Sequence, residues 1–230
     1  MNRTLTNAIR FIIDECLPPL IRDNYYFMYP FFFIWFKGKN LHTAMHFKKI
    51  APTLSEEEYI RIYQTMGTLA RDRVTDLTQS AIHHMKQHII SGAKSLLDVG
   101  CGNGYWLSQA HEIVPEVAGC DLKQALRYID CPFHYGNIEQ LPFADNAFDV
   151  VTCHHTIEHI ADYRKAISEL KRVAAKQLII VVPRQRYYYY TLDLHLHFFH
   201  YKEQLVEAIG LKNYTCESQL GDWIYFGYKT

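Results

Sequence analysis

The stretch Leu96-Leu97-Asp98-Val99-Gly100-Cys101-Gly102-Asn103-Gly104, followed by Tyr105, decides the fold. An apolar run that ends in an acidic residue and opens onto three alternating glycines reads as a buried strand, a tight turn and a helix from about Tyr105. Glycines at 100, 102 and 104 let the backbone turn sharply and approach a ligand with no Cβ in the way. A dinucleotide-binding G-x-G-x-x-G needs its last glycine where Tyr105 stands, so a nicotinamide oxidoreductase is disfavoured.

Outward from this run, short apolar stretches alternate with helical ones. Ser95 to Val99, Glu116 to Cys120, Phe133 to Tyr135, Phe148 to Cys153 and Gln177 to Val182 read as strands, and Lys202 to Ile209 as a helix. Asn213 to Gln219 and Trp223 to Tyr228, joined through Gly221-Asp222, read as a hairpin. The expected class is therefore α/β: a Rossmann-like, mostly parallel sheet with an antiparallel C-terminal hairpin, plus an N-terminal helical and aromatic extension. Upstream, Ser55 and Glu58 form a capping-box pair that starts a helix near Glu56. Apolar spacing predicts two helices, through Tyr59, Ile62, Tyr63, Met66 and Leu69 and through Leu77, Ala81, Ile82, Met85 and Ile89, with a break around Arg71 to Thr75. Both are expected to pack on the flank of the main domain. The domain reading is an extension over residues 1–52 and a main domain over 53–230, with an insertion at 184–200 that covers the active site.

A chain of 230 residues can hold one α/β domain with an appendage. Lysine plus arginine and aspartate plus glutamate both total 24, which gives no footprint for nucleic acid. The six cysteines lack paired spacing and no secretory pattern opens the chain, so a cytoplasmic protein with reduced thiols is expected.

The run LLDVGCGNG resembles the first motif of class I S-adenosylmethionine-dependent methyltransferases, and GNIEQLPFADNAFDVVTCHHTIEH resembles the later motifs of their type 11 family. The likeness covers roughly residues 94–183. It implies S-adenosylmethionine as cofactor, with Gly100, Gly102 and Gly104 and the intervening Cys101 cradling its methionine part and Asp98 near the ammonium. It implies Asp121, with Leu122 beside it, on the ribose hydroxyls and Asn137 and Ile138 at the adenine. His154 and His155 fall where family members line the sulfonium end.

Methyl transfer to a protonated oxygen or nitrogen needs a base, and histidine titrates nearest to neutral pH. His155-Thr156-Ile157-Glu158-His159 has spacing that groups His155, Glu158 and His159 as metal-ligand types on one helical turn. It resembles the E-x-x-E-H stretch of quinone-biosynthesis O-methyltransferases, in which such side chains are associated with a divalent cation. Glu158 and His159 also fit a purely structural pair, and the metal is not the expected case. Thr191 to Phe198 alternates in type, so an extended chain would place Thr191, Asp193, His195 and His197 on one face. His155, His159, His195 and His197 are the candidates for the catalytic base.

Tyr25 to Phe36, flanked by Lys37, Lys39, Lys48 and Lys49, has three readings: a cap over an apolar substrate, a peripheral membrane contact, or a homodimer contact. At 12 residues it is too short to cross a bilayer, which takes roughly 20. The expected activity is methyl transfer to a small or lipid-like acceptor, at oxygen. A non-catalytic scaffold on the same fold is the alternative.

Overall fold

In the computed structural model, which describes residues 12–66 and 74–229, the chain forms two compact units. Leu69 and most of the expected break at Arg71 to Thr75 lie outside the described residues.

The sheet unit comprises Val74–Arg184 and Phe199–Thr230. Its seven strands are β1 (Ser95–Val99), β2 (Glu116–Asp121), β3 (Phe133–Tyr135), β4 (Phe148–His154), β5 (Ala174–Pro183), β6 (Asn213–Gln219) and β7 (Asp222–Tyr228). They run in the order β3-β2-β1-β4-β5-β7-β6. The first five pair in parallel and the last two antiparallel, as the alternating pattern and the closing hairpin predict. The hairpin turn is made by Leu220 and Gly221, both at positive φ, which matches the twist of the strands it joins. Strand β5 is buried from Gln177 to Pro183, which explains its unbroken apolar run: helices cover both faces of a parallel sheet.

One layer beneath the sheet packs the helix Tyr163–Val173 through Ala166, Ile167, Leu170 and Val173. The other packs the helix Gln79–His88 through Ala81, Ile82 and Met85, and the helix Tyr105–Ala110 through Trp106, Leu107 and Ala110. The strand order reverses between β1 and β4, and the crevice beyond their carboxyl ends is the place where ligands bind in such sheets.

The aromatic unit combines the described residues up to 66 with Gln185–Phe198. Its core holds Met28, Phe32, Trp35 and Phe36, with Met45, Phe47, Tyr190 and Leu194. The helix Glu56–Thr65 begins with the expected capping box, and its Tyr59 and Ile62 pack in this core. This corrects the expectation that both upstream helices flank the main domain. Only Gln79–His88 does so; the first finds its apolar surface among the N-terminal aromatics. The compact units divide at 73/74, and Gln185–Phe198, most of the 184–200 insertion, falls in the aromatic unit.

A second correction concerns that insertion. Residues 191–198 form no strand: a turn falls at 192–193, and Leu194 adopts a φ of 56°. The reversal breaks the two-residue alternation, so Thr191 and His195 are buried alongside Leu194.

Gly100 is the tightest point of the glycine loop. Its φ is +77°, and a Cβ there would collide with the Oγ1 and Cγ2 of Thr156. Gly100→Ala is expected to cost roughly 2–4 kcal/mol, from left-handed strain and overlap together. Denaturant titration checks this, and Thr156→Ala in the same chain should recover part of the loss.

Candidate active site

The site is assembled from the carboxyl ends of β1 and β4 and the loops that follow them. Asp98, on β1, is completely buried between the apolar Leu97 and Val99. Its register partner on β4 is Thr152, whose Oγ1 donates to Asp98 Oδ1 at 2.7 Å and accepts from Trp106 Nε1 at 3.0 Å. His154 Nε2 lies 3.2 Å from the same Asp98 oxygen. The other oxygen, Oδ2, is buried and has no hydrogen-bond partner among the described residues. A buried carboxylate oxygen left unpaired costs on the order of 1–3 kcal/mol or more, so this one is suited to a cationic ligand group.

The glycine loop begins beside it. Gly100, Gly102 and Gly104 all have positive φ, and Gly100 and Cys101 donate their N–H groups to Cys120 O at the end of β2. Cys101 is buried, and burial together with Asp98 and Asp121 pushes its thiol far up, so it is inert. Asp121, the last residue of β2, accepts from Gly102 N at 2.9 Å and from Lys123 N at 3.3 Å, with Leu122 forming the bend between. Burial pushes its carboxyl up, against the lowering effect of these N–H groups. Asn137 caps its own turn, its Oδ1 accepting from Glu139 N at 2.9 Å, and the side chain of Ile138 is buried in the core.

His155 sits just past β4 at a φ of 50° and donates its backbone N–H to Val181 O. Its ring spans two carboxylates: Nδ1 is 3.6 Å from Glu158 Oε1, and Nε2 is 3.6 Å from Asp222 Oδ2 at the start of β7. Burial alone would lower its pKa, but Asp222 and Glu158 overcome that and hold it well above the usual 6.5. Glu158 is completely buried in the short 3-10 turn Ile157–His159, which also carries His159. His195 and His197 belong to the aromatic unit, where His195 Nδ1 is 2.8 Å from Gln185 Oε1.

The structure thus brings Asp98 and His154 together, and His155 with Glu158. Sequence reasoning missed Thr152, Trp106, Thr156 and Asp222. Thr152 had a signal, being a polar residue inside the apolar run Val150-Val151-Thr152-Cys153. Asp222 had none beyond its place in a turn.

A family model described as a methyltransferase domain matches residues 97–182. These residues are a class I methyltransferase domain of the type 11 family. The cofactor of that family is S-adenosylmethionine. The chain is 26% identical, over 69% of its length and 66% of the relative's, to a Mycolicibacterium smegmatis protein described as a probable S-adenosylmethionine-dependent methyltransferase. It is 31% identical, over 46% of its length and 55% of the relative's, to a demethylmenaquinone methyltransferase of Shouchella clausii. The chain thus spans less than two thirds of the length of each of these relatives. A crystal structure of a SAM-dependent methyltransferase from Thermotoga maritima shares the fold, with a TM-score of 0.53 at 14% identity over 80% of this chain and 98% of that one.

The charge on His155 has a stability consequence. A histidine whose folded pKa is raised stabilises the fold fully below its unfolded value near 6.5 and loses that contribution as pH climbs through the folded value. The melting temperature of His155→Gln should therefore fall furthest below wild type at pH 6.5, with the gap narrowing in alkali. A gap independent of pH, or one that widens with pH, contradicts the charged clamp.

Proposed function

We propose that the protein transfers the methyl group of S-adenosylmethionine to a small, lipid-like acceptor at a hydroxyl oxygen, with a histidine as base. The observation that carries the cofactor half of this reading is the unpaired, buried Oδ2 of Asp98 beside the glycine loop. The methionine ammonium supplies the positive charge and donors that such an oxygen lacks. Gly100, Gly102 and Gly104 keep the loop thin enough for close approach, and a Cβ at Gly100 would need the space Thr156 fills. Asp121 faces the ribose hydroxyls in this reading: a carboxylate has about four lone-pair positions, and the loop N–H groups take two. The backbone of Asn137-Ile138 suits the adenine edge.

When bound, the cofactor supplies a sulfonium-activated methyl, so the protein's tasks are alignment, exclusion of water and removal of one proton. We assign the proton to His154. Its Nε2 lies 3.2 Å from Asp98 Oδ1, an ion-pair distance that sets the ring beside the carboxylate facing the cofactor's ammonium in this reading. His155 suits that role less well because both ring nitrogens face carboxylates that keep it charged. Its part is to hold the loop that follows His154 and carries Thr156. A lipid-like acceptor is supported by the relative named for demethylmenaquinone.

Calorimetric titration with S-adenosylmethionine tests the first half. Asp98→Asn should weaken binding by roughly ten- to hundredfold, the value of a charge-assisted hydrogen bond to a buried group. Unchanged affinity would remove the assignment. Transfer of labelled methyl across a panel of hydroxylated lipids tests the second half. His154→Gln should abolish turnover at near-normal cofactor affinity, whereas His159→Gln, His195→Gln and His197→Gln retain it.

A further inference from the structure

The helix Tyr25–Trp35, capped at its start by Asn24 accepting from Phe27 N, contains no charged residue. A helix apolar all round ordinarily lies inside a core or against lipid, and this one is buried on one side only. Met28, Phe32 and Trp35, at successive turns, face the core of the aromatic unit. The opposite side carries Tyr26, Tyr29, Phe33 and Ile34, exposed by 84%, 38%, 51% and 65%. Leu20 in the preceding turn is 88% exposed. Isolated exposed apolar side chains are ordinary, but a row along three turns of one helix is a patch.

The charge around the patch selects its partner. From Asn24 to Ser55 the chain has four lysines and no acidic residue, although the whole chain is neutral. Lys37 and Lys39 are exposed immediately beyond the helix. Lys48 is not part of this surface. Its ammonium lies 4.4 Å and 4.1 Å above the ring centroids of Tyr187 and Phe198, and burial, opposed by Asp23, pushes its pKa down to about 7. The patch thus has an apolar centre at Phe33 and Ile34, amphipathic tyrosines at its margin and cationic side chains at one end. Tyrosine hydroxyls and lysine ammonium groups belong at the level of lipid head groups.

Depth is limited by two features. The helix has 11 residues, about 16 Å, and no described helix is long and apolar enough to cross a membrane. Pro30, inside the helix, has no N–H to offer the carbonyl of Tyr26 on the exposed side, and that carbonyl needs water or head-group donors.

We propose that the exposed face of Tyr25–Trp35, with Lys37 and Lys39, seats the protein on an anionic bilayer surface. The inference is independent of the catalytic reading, because none of these residues belongs to the candidate site. It is tested by co-sedimenting the full chain with vesicles of phosphatidylcholine alone and of phosphatidylcholine mixed with phosphatidylglycerol. Binding is expected to the mixed vesicles and to weaken with salt. Phe33→Ser with Ile34→Ser should reduce it by roughly tenfold or more. Lys37→Gln with Lys39→Gln should reduce it by about 25-fold on the mixed vesicles alone, at roughly fivefold per lysine. Unaltered melting curves of both variants show that the fold persists. Failure to bind either vesicle type, or binding indifferent to Phe33 and Ile34, overturns the proposal. A dimer in sedimentation velocity that Phe33→Ser with Ile34→Ser dissociates would overturn it in favour of a second copy of the chain.

Discussion

The site depends on a negative charge held where water cannot reach it. Asp98 stands near the end of the central strand β1, inside a parallel sheet, where β4 donates the Thr152 hydroxyl to one of its oxygens and brings the His154 ring to 3.2 Å of the same atom. Thr152 is itself fixed by Trp106, the large residue of the helix that the glycine loop begins. Strand, loop and helix are thereby tied through one carboxylate. The register of β1 against β4 is part of the chemistry: a slip of one residue would turn Thr152 away from Asp98.

The second tie, His155 between Glu158 and Asp222, acts on the neighbouring loop. A non-glycine residue in the left-handed region costs on the order of 1–3 kcal/mol, and the opposed carboxylates offset that cost. The strained residue and the charged ring are the same residue. Thr156, which closes against Gly100, is therefore placed by an interaction that begins on the last strand.

Much of this was legible in the sequence wherever a local rule sufficed. The strand pattern, the capping box at Ser55 and the positive-φ glycines each follow from a few adjacent residues. The Thr191–Phe198 segment was misread because alternation of residue type predicts two faces only if the chain is extended, and Leu194 bends it. The helix at Glu56–Thr65 was legible as a helix but not in its allegiance, since an apolar stripe does not say which core receives it. Asp222 was invisible for a similar reason. Its partner lies far off in sequence, and only the antiparallel pairing of β7 with β5 brings the two together.

That pairing spreads the site along the chain. Strands β1 and β4 hold Asp98, Thr152 and His154, but the loop that bears His155 has one of its two carboxylates on β7. A disturbance confined to the ladder between β5 and β7 would therefore reach that loop without touching the glycine motif.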